Sequence, residues 1–438
     1  MADAKRKMIL GLSLRYLGYH NKAWRHPNTP PNGSTNFSYH LESAQRAESA
    51  KLHMIFYADG LAIRAKDNPP GFLVRDMKNV DLDPFTLLPA IAARTDRIGL
   101  IATASTTYNE PYHLARRVST LDHISNGRAG WNVVTSWSQQ EALNFGRDEH
   151  LGKDERYERA EEFVDVVLGL WNSWERDAFL HDKEAGIFYD ERKLHVLNYK
   201  GKHFKVRGPL TCPHSPQGRP IIVQAGGSPK GMAIGGKHAD VIYANYPTLG
   251  DAVTGYQSLK SQVAGYGREA DHVKVLPGIA IFTGATRQEA QDKFDALQEL
   301  VDDVSALGLI ATYIGDPTGY DLDAPVPDEL AGVMTSHSSR TFEQAKGAQM
   351  TLREFGKSYA AADGVRTVIG TPKDVADDME AWFEGGAADG FNICPPTKPD
   401  GVDDFVDLIV PELRRRGLFR DEYEGETLRE NLGLPVLD

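Results

Sequence analysis

Only two of the 438 residues are cysteine, Cys212 and Cys394, and they lie far apart in the chain. Two thiols cannot by themselves complete a four-ligand metal site, and no HExxH or other His, Cys and carboxylate cluster adds to them. No metal is therefore expected. Long apolar runs are missing as well, since none reaches the length of a membrane span. Positive charge is in deficit: 49 Lys and Arg stand against 61 Asp and Glu, a net −12. That balance argues against a nucleic-acid partner held through its phosphates and favours solubility. There is no GxSxG, so the nucleophile elbow of an α/β-hydrolase is absent. No internal repeat and no low-complexity tract is found. The N-terminus, MADAKRKMILGLSL, sets a basic cluster before a short apolar run, as a signal peptide does. The run breaks at Arg15 and lacks a convincing cleavage site, so it reads as a first strand and the chain as cytoplasmic. A hydrophobic fraction of 41% and a charged fraction of 25% are those of a globular protein with a large core.

Residues 94–146 carry the clearest organisation. A β-rich run, 98–104, ends in small hydroxyl and alanine residues. A helix follows over 110–125, with Leu114, Val118, Leu121 and Ile124 at three- and four-residue spacing, and Asn126-Gly127 signals a turn. A second apolar run, 130–134, ends in Thr135-Ser136. Strand, helix and strand with a connection of this length make a βαβ unit, so the two strands are expected to be parallel. Ligands of α/β folds bind outside the carboxyl ends of the strands, and small polar residues there let a flat ring approach the backbone.

The alternation extends along the chain. Further strands are expected at 8–14, 51–57, 221–224, 241–244, 273–282 (interrupted at Pro277-Gly278) and 390–393. Helices are expected at 37–50, from Pro84 onward, and over 154–172, 228–238, 249–265, 287–301, 341–355, 371–384 and 403–416. About eight strands alternate with helices, and right-handed repetition of that number closes into a (β/α)8 TIM barrel, with an open doubly wound sheet as the alternative. The expectation is one α/β barrel domain over 1–438, with insertions at the C-terminal rim at about 16–36, 64–82, 173–210 and 304–366. A hairpin is expected within 196–206. The Gly-, Pro- and Asp-rich stretch 308–339 has no pattern of its own and reads as a mobile lid.

QAGGSPKG, 224–231, follows a strand and opens a helix. Its backbone N–H groups and the helix N-terminus suit a phosphate, Gly227 allows close approach, and Ser228 adds a hydroxyl. Equally, it is a strand-to-helix turn with serine as the cap. GGSxxG is not GxGxxG, and Asp240 comes too early for a ribose-binding acid, so a dinucleotide site is not expected. KDERY, 153–157, is either solvated charge at a helix start or a phosphate contact. Asp59 is a turn residue before Gly60 or a ligand group. Asp59 and Glu110 could be nominated as the facing carboxylates of a glycosidase, but sequence does not place them together.

TASTTYNEPYHLARRVSTLDHISNGRAGWNVVTS, ending at Ser136, closely resembles the signature of one branch of the bacterial luciferase-like FMN-dependent monooxygenases. It is the branch of nitrilotriacetate monooxygenase component A and dibenzothiophene-sulfone monooxygenase. GYHNKAWRHP, FYADGL, QAGGSPKG, DGFNICPP and EYEGETLRENLGLP follow in the family's order and extend the resemblance over nearly the whole chain. The resemblance implies a TIM barrel and a two-component oxidoreductase. A separate NAD(P)H:flavin reductase would supply reduced FMN, and dioxygen would be the co-substrate for oxygenating a small xenobiotic, organosulfur or amine-type molecule. It places the flavin phosphate at Gly227, Ser228 and Tyr157. Lys153 stands where relatives usually have His, and still offers a phosphate a point charge. Asp59, Thr103 and Ser136 would meet the flavin, with Asn132 and Asn392 as further rim candidates. His20 and Trp24 would line the substrate side, and His337 and Arg340 border the lid. No side chain need act as a nucleophile. A homodimer or homotetramer is implied, with the C-terminal tail packed between subunits. The alternatives are a deazaflavin-dependent oxidoreductase of the same fold and a barrel glycoside hydrolase.

Overall fold

The computed structural model describes residues 6–437 apart from 64, 65, 333 and 335. The first residues of the N-terminal basic cluster, and those positions within the 64–82 and 308–339 stretches, lie outside the described residues.

Nine strands form one parallel sheet: β1 (Ile9–Ser13), β2 (Met54–Tyr57), β3 (Gly99–Ser105), β4 (Ala129–Val134), β5 (Ile221–Gln224), β6 (Val241–Ala244), β7 (Lys274–Thr283), β8 (Arg366–Gly370) and β9 (Gly390–Ile393). Eight of them close on themselves. β1 to β7 pair in sequence, β7 pairs with β9, and β9 returns to β1 through Ile9↔Gly390 to Leu12↔Ile393. Strands of such a barrel are covered on both faces and so read as unbroken apolar runs. β1, β2 and β5 are buried at every position.

The helices α1 (Phe37–Ser49), α2 (Pro84–Ala92), α3 (Pro111–Ile124), α4 (Lys153–Trp171), α5 (Pro229–His238) and α6 (Leu249–Gly265) follow β1 to β6 in turn. α2, α3 and α5 carry proline in their first turn, where its missing N–H costs nothing. The apolar stripe of α3 is buried at Leu114, Val118 and Leu121, but Ile124 at the helix end is half exposed.

Two further expectations are corrected. First, β7 runs through Pro277-Gly278. Pro277 sits at the last register with β6, and from Gly278 the strand changes partners to β9 and β8. β8 is half-buried and lies outside the closed barrel, so its short RTVIG run gave little pattern. Second, the 308–339 stretch is not structureless. β7 is followed by α7 (Arg287–Gln298), α8 (Asp303–Tyr313), α9 (Ser336–Gly347) and α10 (Leu352–Ala362), and α11 (Pro372–Glu384) then leads to β9. The expected 341–355 helix is two helices, separated near Gln349 with φ +54°. α8, α9 and α10 share a hydrophobic core of their own with Val326 and Leu330. Phe72 of the 64–82 excursion plugs into that core so closely that a Cβ on Gly308 would lie 2.1 Å from its ring.

The C-terminal tail packs its leucines against its own barrel. Leu428, Leu432 and Leu434 join Ile9, Met54, Ile101, Ile221 and Val241 in the barrel interior. Leu428 sits against Gly99 at the start of β3, which places the tail at the N-terminal mouth. Arg429 reaches the buried Asp240, which also holds Arg219 at 2.8 Å. The 173–210 excursion forms two small antiparallel hairpins, one of them at the expected Lys200 turn.

Candidate active site

Alternate residues of a barrel strand point inward. Low in the barrel these are Ile9, Met54, Ile101, Ile221, Val241 and Leu276. One step toward the C-terminal ends the layer turns polar: Thr103, Asn132, Tyr243 and Asn392 share it with Gly11, Phe56 and Val223. The Asn132 side chain donates to the Thr103 hydroxyl at 3.0 Å. Phe56 and Tyr243 pack edge to face at 4.8 Å. A Cβ on Gly11 would lie 3.6 Å from both Asn392 Oδ1 and the Tyr243 hydroxyl, so these two polar tips are neighbours. Asn132 Oδ1, Asn392 Oδ1 and the Tyr243 hydroxyl are buried without a hydrogen-bond partner among the described residues. Burial holds the Tyr243 phenol protonated, with its pKa well above the usual value. Groups of this kind are nearly always satisfied, and here they converge on the barrel mouth.

Above this layer Ser136, at the end of β4, donates to Ser105 at 2.9 Å, and its carbonyl takes the Arg156 guanidinium. Ser136 has φ +56°, a strained conformation for a non-glycine residue. Asp59 follows β2, accepts the Gly60 N–H at 2.8 Å, and borders a cavity of about 390 Å³. That cavity gathers Arg15 and Tyr16 after β1, Asp76, Lys78 and Asp81 from the 64–82 excursion, and Tyr313 from α8. Arg15 donates to the Tyr16 hydroxyl at 2.8 Å. Lys78 is buried against Asp363. Burial alone would lower its pKa, but Asp363, Tyr313 and Asp76 outweigh that and raise it. Burial pushes the Asp76 and Asp81 carboxyls up. The chamber is therefore strongly polar.

The 224–231 turn is built as expected of either reading. Ser228 is the N-cap of α5 and accepts the Gly231 N–H at 3.2 Å, while its hydroxyl donates to Tyr157 of α4 at 2.8 Å. Gly227 adjoins a second cavity of about 310 Å³. Lys153 is the first residue of α4 and is exposed, and its neighbour Asp154 pairs with Lys230 of the turn at 2.6 Å. The structure does not bring His20 or Trp24 to these cavities. His20 is wholly buried, accepts the Lys22 N–H at 3.1 Å, and has its pKa pushed down to about 3 by burial and by Lys78 and Lys22. Trp24 is 41% exposed. His337 and Arg340 lie on α9. His337 bonds the Asn245 side chain and the Asp363 carbonyl, and Arg340 bonds the Asn245 and Gly227 carbonyls. Sequence reasoning missed Tyr243, although the alternation within VIYA points it inward. It also missed the Arg15, Lys78 and Asp363 grouping, for which no local signal exists.

The profile of the luciferase-like monooxygenases matches residues 16–389. The chain is a luciferase-like monooxygenase. It is 46% identical to the N-acetyl-S-(2-succino)cysteine monooxygenase of Bacillus subtilis strain 168, covering 99% of this chain and 98% of that one. It is 44% identical to nitrilotriacetate monooxygenase component A of Aminobacter aminovorans, covering 98% and 97%. The crystal structure of DmoA from Hyphomicrobium sulfonivorans superposes with a TM-score of 0.89 at 33% identity, covering 98% of this chain and 92% of that one. These monooxygenases, similar over nearly the whole chain, support the monooxygenase reading over the glycoside hydrolase and deazaflavin alternatives. The residues of this luciferase-like monooxygenase fit a flavin. The buried, unpaired polar atoms of Asn132, Tyr243 and Asn392 can serve the polar edge of a ring, and the capped turn at Ser228 can serve a phosphate. Among the described residues no three His, Cys, Asp or Glu side chains come together as metal ligands.

Proposed function

We propose that this luciferase-like monooxygenase takes reduced FMN from a separate NAD(P)H:flavin reductase and uses dioxygen to oxygenate a small polar organic molecule of the organosulfur or amine type. Reduced FMN, when bound, supplies the electrons that activate dioxygen. Ser228, Tyr157 and Gly227 hold its phosphate. Thr103, Asn132, Ser136 and Asp59 face its ring at the barrel mouth, with Tyr243 and Asn392 completing the floor. The polar chamber between the 64–82 excursion and α8 receives the substrate, and the two insertions above it exclude bulk water. The observation that carries this reading is the set of buried polar atoms without a partner at the barrel mouth, on Asn132, Tyr243 and Asn392, and the capped turn at Ser228, whose hydroxyl donates to Tyr157, supports it. The component-A name of one close relative supports a separate reductase. The polar lining of the chamber favours an ionic or strongly dipolar substrate over an alkane. The chain acts as one barrel domain with its insertions, in the cytoplasm, as a homodimer or homotetramer. No helix among the described residues is long and apolar enough to cross a membrane.

The test is reconstitution with a flavin reductase, NADH and dioxygen while offering N-acetyl-S-(2-succino)cysteine, nitrilotriacetate and dibenzothiophene sulfone in turn. At least one polar substrate should yield a product carrying one atom from labelled dioxygen. Recovery of all reducing equivalents as hydrogen peroxide with every compound would remove the proposal.

A further inference from the structure

We infer that Arg340, carried by the insertion helix α9, is a positioning residue for the cofactor phosphate site, so that docking of α9 and binding of the phosphate reinforce each other. The inference rests on the placement of the FMN phosphate at Ser228 proposed above.

The turn has few donors to spare. Pro229 has no N–H, and the Gly231 N–H is already taken by the Ser228 hydroxyl. The Ser228 N–H therefore matters, and its direction is set by the Gly227–Ser228 peptide. In a trans peptide the carbonyl of one residue and the N–H of the next point to opposite edges. A turn with two adjacent glycines can present either edge, and a carbonyl turned toward a phosphate would repel it. Arg340 removes that choice. Its guanidinium donates to the Gly227 carbonyl at 3.3 Å and to the Asn245 carbonyl at 2.5 Å, 113 and 95 residues away in sequence. With the carbonyl held by a cation, the Ser228 N–H faces the opposite edge.

α9 is also anchored by His337, to the residue after β6 and to the C-terminal end of α10. His337 bonds the Asn245 side chain on one ring nitrogen and the Asp363 carbonyl on the other, at 2.6 Å. Arg340 also lies 5.8 Å from the ring of Tyr246. A docked α9 thus fixes the turn, and a phosphate that needs the fixed turn favours the docked helix, as linkage requires.

The experiment measures affinities for oxidised FMN and for riboflavin, which lacks the phosphate, in the parent protein, Arg340→Ala and Arg340→Lys. It adds hydrogen exchange of α9 in the parent with each flavin. Arg340→Ala should weaken FMN about 10-fold or more, the worth of one charge-assisted hydrogen bond, and leave riboflavin within about 2-fold. Arg340→Lys, which keeps a cation able to reach one carbonyl, should fall between them. FMN should slow exchange in α9, and riboflavin should not. Unchanged FMN affinity in Arg340→Ala, or equal losses for FMN and riboflavin, would overturn the inference. A parent protein that binds riboflavin as tightly as FMN would instead overturn the placement of the phosphate itself.

Discussion

Removing the Ser228 hydroxyl tests the phosphate site most sharply, because that one oxygen serves both the fold and the ligand. In the protein it caps α5 through the Gly231 N–H and donates to Tyr157. Ser228→Ala loses a cap of about 1 kcal/mol and a neutral hydrogen bond of about 1 kcal/mol. The protein without flavin should therefore be destabilised by about 1–2 kcal/mol and remain folded. Toward FMN the same hydroxyl would bond a charged phosphate, worth about 1.5–3 kcal/mol, or roughly 10- to 150-fold in Kd. Tyr157→Phe keeps the cap, so its stability loss should be smaller while its FMN loss is comparable. The two hydroxyls touch each other, so their effects on FMN should not add, and the double variant measures that coupling. Titration followed by quenching of flavin fluorescence, with FMN and riboflavin in parallel, reads all of this. An FMN affinity untouched by Ser228→Ala, or a matching loss for riboflavin, would refute the reasoning.

Three other outcomes follow from the same structure. His20 and His40 are wholly buried, with pKa values pushed down by burial to about 3 and about 4. Each folded ring stays neutral while the unfolded ring protonates near pH 6.5. Their stabilisation is therefore complete above that pH and is lost on acidification, at about 2.7 kcal/mol per unit for the pair. The buried His53, His238 and His337, also held below the usual value by burial, add to the loss in the same direction, so His20→Gln should reduce the pH dependence of urea-unfolding stability between pH 7 and 4.5 by about 1.4 kcal/mol per unit. Phe72→Ala removes the ring that ties the 64–82 excursion to the core of α8 and α10, a loss of about 3–5 kcal/mol for a buried ring. Hydrogen peroxide released per NADH should rise, and unchanged coupling would show that these insertions do not shield the site. Leu428→Ala should cost about 2–5 kcal/mol in denaturant unfolding without changing the oligomer seen by gel filtration, because Leu428 fills its own barrel; dissociation would contradict that packing.

The barrel was legible where local pattern and burial agree. The βαβ unit across Thr103 and Ser136 could be read from its apolar periodicity, and the register Thr103↔Asn132 bears out the parallel pairing. Ser228 could be read as a cap because N-capping is a local contact. β8 escaped because a half-buried edge of five residues has neither a strand's alternation nor a core strand's unbroken run. Pro277 misled because the cost of its missing N–H depends on where β6 ends, which sequence does not show. The tail's subunit contact came from the family resemblance, and that its leucines fill the chain's own barrel had no local signal in sequence. The polar chamber was beyond reach for a similar reason. Arg15, Lys78 and Asp363 come from three distant segments, and their approach is set by how two insertions dock on each other. The family resemblance set His20 on the substrate side, and the structure buries it as a neutral acceptor inside the first excursion.

The central claim is that the barrel mouth holds reduced FMN and governs its reaction with dioxygen. The most direct measurement is stopped-flow absorbance of the protein premixed with reduced FMN and then mixed with dioxygenated buffer. Flavin reoxidation should be slower than that of free reduced FMN and pass through a distinct spectral phase, and Ser228→Ala should shift the traces back toward free flavin. Reoxidation at the rate and with the single phase of free flavin, at protein concentrations well above that of FMN, would contradict it.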